Sequence, residues 1–201
     1  MTRKAEIPAA DRRAGALLAA VHRPEDWPNR LGPAIAFAGR SNVGKSTLLN
    51  RLIGVSAART SKTPGRTQGI YLYESGEGWA AADLPGFGFA RASREARNAW
   101  GDLAGFFFSE HPPLLTVQLI DPKIETSDYD LEFRDYLHHL RIASIVVATK
   151  ADRLNQSDRS RSRTRMGKHF GPLLFVSART GEGIEILKQQ IGQALAERGR
   201  E

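Results

Sequence analysis

The 201-residue chain has no cysteine, which excludes a disulfide scaffold, a thiolate metal site and thiol catalysis, and agrees with a reducing compartment. Long apolar runs are missing too. The longest, such as Ala16 to Val21 and Ile145 to Ala148, fall far short of the roughly 20 residues needed to cross a bilayer, so no membrane span is expected. A secretory leader is not supported either: Glu6, Asp11, Arg12 and Arg13 interrupt the outline begun by Met1 to Lys4, and Trp27-Pro28 stands where a small-residue cleavage site would follow. The expected location is cytoplasmic. No internal repeat occurs, and the one compositionally biased stretch is 153–168.

What is present is ordinary globular material, 41% hydrophobic and 25% charged, in a length that suits one domain with a short appendage. Such a chain buries roughly 70% of the surface it exposes when unfolded and needs no covalent staples. With 29 basic and 22 acidic residues the net charge is +7, which favours polyanionic partners only if the charge is placed to meet them.

Short apolar runs at 34–38, 69–73, 79–84, 114–120, 143–149 and 173–176 read as strands, and helical patterns occupy 46–53, 95–108, 129–140 and 184–196. The second and third runs are joined by Glu74-Ser-Gly-Glu-Gly78, which is hairpin chemistry, whereas the later runs are separated by helices and should be parallel. The expected fold is α/β and doubly wound: a mostly parallel six-stranded sheet with one antiparallel strand and helices on both faces. Residues 1–30 are expected to form an appendage, with a short helix over Ala9 to Val21 and an irregular link, and residues 31–201 the main domain.

Ligands of such sheets sit beyond the carboxyl ends of the strands. After the first run comes Gly39, Arg40, Ser41, Asn42, Val43, Gly44, Lys45 and Ser46, a G-x-x-x-x-G-K-S loop opening a helix. Its glycines let successive N–H groups face a β-phosphate, Lys45 reaches β/γ oxygens, and the Ser46 hydroxyl ligates Mg²⁺. After the third run stand Asp83, Leu84, Pro85 and Gly86; Asp83 would hold Mg²⁺ through water and the Gly86 N–H would meet a γ-phosphate. Alone, that tetrapeptide is also a good turn sequence.

The base is selected by Thr149, Lys150, Ala151 and Asp152 after the fifth run and by Val176, Ser177 and Ala178 after the sixth. A carboxylate at Asp152 accepts from N1–H and the exocyclic amine of guanine, whereas adenine presents a bare acceptor there and would leave it unpaired. The Lys150 stem would lie across the ring and the Ala178 N–H would donate to O6.

With these motifs in order, the chain resembles the translation-factor-like P-loop GTPases and, within them, the EngB (YihA/YsxC) family of bacterial GTPases linked to large-ribosomal-subunit assembly and normal division septation. The resemblance spans nearly the whole chain and rests on residues 39–46, Thr60-Ser-Lys-Thr-Pro-Gly-Arg-Thr67-Gln, Asp83-Leu-Pro-Gly-Phe-Gly88, Trp100 and Thr149-Lys-Ala-Asp152. It implies a slow GTPase and a monomer, with guanine nucleotides and ribosomal RNA or the large subunit as partners. It also implies a switch of Gly65, Arg66, Thr67, Gln68 and Gly69 in which Thr67 completes the Mg²⁺ shell, so that Lys45, Thr67 and Gly86 carry catalysis.

Three departures bear on this. Asp121-Pro122-Lys123 replaces the more usual Asp-x-Arg; Thr149 replaces the widespread Asn and is expected to weaken contact with the base or the phosphate loop; Phe87 stands where Ras-like enzymes carry a water-orienting Gln. Asn42 matches a position that binds K⁺ in some related GTPases, and it is equally a loop-forming residue. Arg153, Arg159, Arg161, Arg163, Arg165 and Lys168 face one acid, Asp158, and with Arg59, Lys62, Arg66, Arg91, Arg94 and Arg97 they suggest an RNA-facing surface sensitive to nucleotide state. A nucleotide-gated scaffold for division proteins and a P-loop kinase or ATPase are the alternatives.

Overall fold

The computed structural model describes residues 13–54, 69–86 and 94–198, with 94–100 described by backbone alone. Its strands are β1 (Leu17–Val21), β2 (Ala34–Gly39), β3 (Ile70–Glu74), β4 (Ala80–Asp83), β5 (Leu115–Ile120), β6 (Ser144–Ala148) and β7 (Leu173–Phe175). The helices are α1 (Lys45–Ile53), α2 (Arg94–Glu110), α3 (Asp128–His139), α4 (Gln156–Phe170) and α5 (Ile184–Arg198).

The strands form one seven-stranded sheet in the order β1-β3-β4-β2-β5-β6-β7. Pairing is parallel from β4 through β7, and β3 alone runs against the rest. The period of two in a strand divides β2 between two cores. Ile35 and Phe37 join Leu48 and Leu49 of α1 and Leu187 and Ile191 of α5, while Ala36 and Ala38 belong with Phe107 and Phe108 of α2 and Phe133 and Leu137 of α3. Small alanines on that face leave room for bulky rings, so both sides of the central strand are filled. A third cluster sets Met166 of α4 with Ile120, Val146, Ala148 and Phe175.

Two expectations are corrected. The sheet has seven strands rather than six, and the segment 17–21 is a strand rather than part of a helix. Leu17 to Val21 is an unbroken apolar run without a polar helical face, and the free edge of β3 supplies backbone partners: β1 pairs with it antiparallel, Val21 opposite Ile70. The ladder extends to Gly15, whose N–H donates to the Glu74 carbonyl at 2.6 Å. The division placed at residue 30 therefore falls between two strands of one sheet. No helix among the described residues is long and apolar enough to cross a membrane.

Candidate nucleotide site

β2 ends in the loop 39–44, whose shape follows from three backbone requirements. A Cβ on Gly39 would lie 2.7 Å from the Leu119 carbonyl oxygen, so only glycine lets the chain leave β2 against β5. Asn42 and Gly44 take left-handed φ values of 64° and 105°, one tolerated by asparagine and the other suited to glycine. Val43 is buried and anchors the loop between them. α1 then starts at Lys45 with its first N–H groups free of helical partners, the geometry that cradles phosphate. Ser46 sits in the same first turn.

The buried Lys45 ammonium is ion-paired with the Asp83 carboxylate at the end of β4, across 38 positions of sequence. Each would be costly to bury alone, and the pair neutralises both. Downstream of Asp83, the chain passes close to the phosphate loop: a Cβ on Gly86 would stand 3.1 Å from both the Ser41 nitrogen and its Oγ. The Leu84 N–H donates to the Phe37 carbonyl at 3.1 Å, which fixes the exit from β4.

Beyond β6, Thr149 and Lys150 reach the same loop from the other side. The Thr149 hydroxyl lies 2.6 Å from the Val43 carbonyl oxygen and 3.1 Å from that of Ile120. Thr149 thus keeps a direct contact with the phosphate loop in place of the widespread Asn, its hydroxyl standing close enough to donate to the Val43 carbonyl. Lys150, at a left-handed φ of 55°, extends its ammonium to the Asn42 carbonyl at 2.7 Å and to Asp121 Oδ2 at 2.8 Å. Asp121 is a residue whose role the sequence left open; it sits directly after β5 and orients Lys150, while its other oxygen accepts from the Lys123 N–H at 3.0 Å.

Asp152 lies in a tight turn, Ala151–Arg153, and its two carboxylate oxygens are held separately. The fully buried Ser177 donates through its hydroxyl to Oδ1 at 2.6 Å, and Arg179 donates through Nε to Oδ2 at 2.9 Å. The Ser177 bond first, and then Arg179, keep this carboxyl ionised and below the ordinary carboxylate range. Ala151 donates its N–H to the Val176 carbonyl at 3.1 Å, which joins the two base loops. Ala178 follows Ser177 in the second loop, half-buried beside Asp152's partners. Arg179 was not singled out from sequence; its place one residue after Ala178 was the available signal.

Thus 39–46, 83–86, 149–152 and 176–178 converge at one end of the sheet, beyond the carboxyl ends of four parallel strands. Of the first switch, Gly69 alone lies within the described residues; a Cβ there would stand 2.5 Å from the Val21 carbonyl oxygen. Gly65, Arg66, Thr67, Gln68 and Phe87 lie outside the described residues, as do Arg59, Lys62 and Arg91, and the side chains of Arg94 and Arg97 are likewise outside them.

A family model described as "50S ribosome-binding GTPase" matches residues 34–150. A protein of Syntrophomonas wolfei called a probable GTP-binding protein EngB is 40% identical over 169 residues, 81% of this chain and 87% of its own length. The chain belongs to the EngB family of GTPases. An EngB relative from Geobacillus kaustophilus is 36% identical over 174 residues, 83% of this chain and 89% of its own. A crystal structure titled as a probable GTP-binding protein engB superposes with a TM-score of 0.69 at 30% identity, covering 82% of this chain and 99% of that one. The α/β fold described above is thus the EngB fold, and the chain is a GTP-binding, GTP-hydrolysing member of it.

The basic run of this EngB chain makes contacts within the protein that its sequence did not reveal. All four arginines within α4 have intramolecular contacts: Arg159 pairs with Glu182, Arg165 donates to the Pro122 carbonyl at 2.9 Å, Arg163 stands 5.4 Å over the Phe175 ring, and Arg161 pairs with Asp158. The one local acid did not limit pairing, because carbonyls, an aromatic face and a distant glutamate served instead. The run is not a block of unengaged cations.

Proposed function

We propose that this EngB chain is a guanine-nucleotide switch that reads the phosphates with residues 39–46, Asp83 and Gly86 and the base with residues 149–152 and 176–178. The observation that carries this reading is the direct bonding between the two ends: Thr149 and Lys150, from the base loop, hold the carbonyls of Val43 and Asn42 in the phosphate loop. Base recognition and phosphate recognition are thereby parts of one rigid object. The decisive test is Asp152→Asn, which exchanges an acceptor for a donor. It should weaken GTP by several kcal/mol, at about 1.5–3 kcal/mol per charge-assisted hydrogen bond, and favour xanthosine nucleotides. Unchanged GTP affinity would remove Asp152 from the base site.

The oxygen donors fit Mg²⁺. A hydroxyl from Ser46 and a carboxylate from Asp83 are hard ligands, too few to complete an octahedron without phosphate and water, as suits an ion that arrives with a nucleotide. Ser46 would hold it directly, Asp83 through water, and Thr67 in the triphosphate state. When bound, Mg²⁺ neutralises charge on the β and γ oxygens. Lys45 would exchange Asp83 for those oxygens, leaving its carboxylate to face the metal. Gly86 would offer its N–H to the γ-phosphate, and Thr67 would close over it. With Phe87 in place of a glutamine, turnover would be slow. K⁺ at Asn42 would add positive charge, tested by replacing Na⁺ with K⁺ at constant ionic strength in the native chain and in Asn42→Ala.

Assistance to large-subunit assembly, with a consequence for division and septation in the cytoplasm, is the role proposed for the switch. The matched family's description as ribosome-binding supports it. Co-sedimentation with ribosomal subunits at several salt concentrations, in GDP and in a GTP analogue, tests it; indifference to nucleotide would reject it.

A further inference from the structure

Guanine must be met at two places simultaneously, by a carboxylate at its N1 edge and by an N–H at O6, and in this chain those groups come from loops that follow different strands. What holds the loops at the required spacing is a separate matter from what touches the base. Arg159, in the first turns of α4, contacts both. Its guanidinium donates to Glu182 through two parallel bonds, Nη1 to Oε1 at 2.6 Å and Nη2 to Oε2 at 3.0 Å. Nη2 also lies 3.4 Å from the carbonyl oxygen of Ala151, the residue before Asp152. The same guanidinium stands 5.3 Å over the ring of Phe175, the last residue of β7.

Glu182 is in turn wired to the base loop. Its carbonyl accepts from the Ser177 N–H at 3.0 Å, and the Ser177 hydroxyl holds Asp152 at 2.6 Å. The loop between them closes on itself through the Gly181 N–H to the Ser177 carbonyl at 2.9 Å.

We infer that Arg159 is a positioning residue for guanine recognition: its forked pair with Glu182, lodged over Phe175 and against Ala151, sets the spacing between the Asp152 carboxylate and the Ala178 N–H. This rests on the base-site reading above. The side chains of Arg159 and Glu182 remain 31% and 38% exposed, so solvent screens their attraction and the pair acts chiefly through its geometry. A planar fork fixes two atoms of its partner, which a single ammonium does not do.

The test compares GDP with IDP, which lacks the exocyclic amine, by equilibrium titration of the full chain and its Arg159→Ala, Arg159→Lys and Glu182→Gln variants, with melting temperature as the folding control. Arg159→Ala should weaken GDP roughly tenfold, the size of one charge-assisted bond, and should compress the preference for GDP over IDP. Arg159→Lys should recover only part of that preference, and the Arg159→Ala/Glu182→Gln double variant should lose little more than either single one. GDP binding unchanged in Arg159→Ala, equal losses for GDP and IDP, or full recovery by lysine would each overturn the inference. If Arg159→Ala does not fold, Glu182→Gln and Arg159→Lys, which keep the packing over Phe175, carry the same comparison. A native chain that does not distinguish GDP from IDP and ADP would instead reject the base-site reading itself.

Discussion

Thr149 illustrates how much one hydroxyl can do at this site. It has a single proton and two nearby carbonyls, one in the phosphate loop and one at the end of β5, and it is buried with both. Thr149→Val keeps the shape and removes the donor, so it should cost about 1–3 kcal/mol in urea denaturation, the usual penalty for an orphaned buried polar group. GDP affinity should fall with it, because the Val43 carbonyl then has no fixed partner from the base side. Gly39 is limiting for a different reason. Gly39→Ala would press a methyl group within 2.7 Å of the Leu119 carbonyl oxygen, where backbone must yield, and should destabilise the protein by roughly 1–3 kcal/mol. Equal denaturation midpoints for Gly39→Ala and the native chain would show that β2 and β5 can separate at little cost.

At the scale of elements, the segment between β1 and β2 ties the sheet edge to α2. Trp27 is buried, and its ring is stacked on His111 with centroids 4.3 Å apart and planes 7° from parallel, with Phe106 and Phe107 close by. Burial is the first cause that pushes the His111 imidazole below its ordinary value, Glu110 opposing it. The unfolded chain takes up a proton near pH 6.5 while the folded chain resists, so the unfolded state binds more protons in the window just below that pH. Stability from this contact is therefore complete above about pH 6.5 and declines as pH falls through that window towards the folded-state value. His111→Phe keeps a ring on Trp27 and removes the proton site; its melting temperature should fall less than that of the native chain between pH 7.5 and 5. Identical slopes would place the titration elsewhere.

For the whole molecule, the consequence of β1 is that β3 is paired on both sides and the sheet edge moves out to a short strand. Without it, β3 would present unpaired backbone groups, and Val21 and Trp27 would no longer fill the core over α2. A chain beginning at residue 31 should therefore lose several kcal/mol, since deletion of a buried tryptophan side chain alone costs about 3–5 kcal/mol, and should self-associate. Denaturation and size-exclusion chromatography of residues 31–201 against the full chain measure both effects. A truncated chain as stable and as monomeric as the parent would make the first 30 residues an appendage, as their sequence suggested.

The nucleotide motifs were legible in the sequence because each is local. A phosphate loop needs glycine, lysine and serine at fixed offsets between a strand and a helix, and a base loop needs its carboxylate a few residues past a strand end. The short apolar runs separated by helical patterns likewise determined the parallel α/β sheet, since run length and the spacing between runs are read directly along the chain. Residues 17–21 were misread because an apolar run has no period of its own; the vacant edge of β3 decided that it is a strand. The partners of the α4 arginines were not legible because Glu182, Phe175 and the Pro122 carbonyl are far away in sequence. Asp121 and Arg179 gained their roles in the same way, by meeting Lys150 and Asp152 across the site. Which groups touch phosphate and base is encoded by short-range pattern, whereas which charges hold those groups in place depends on distances between separate strand ends, which exist only once the sheet has formed.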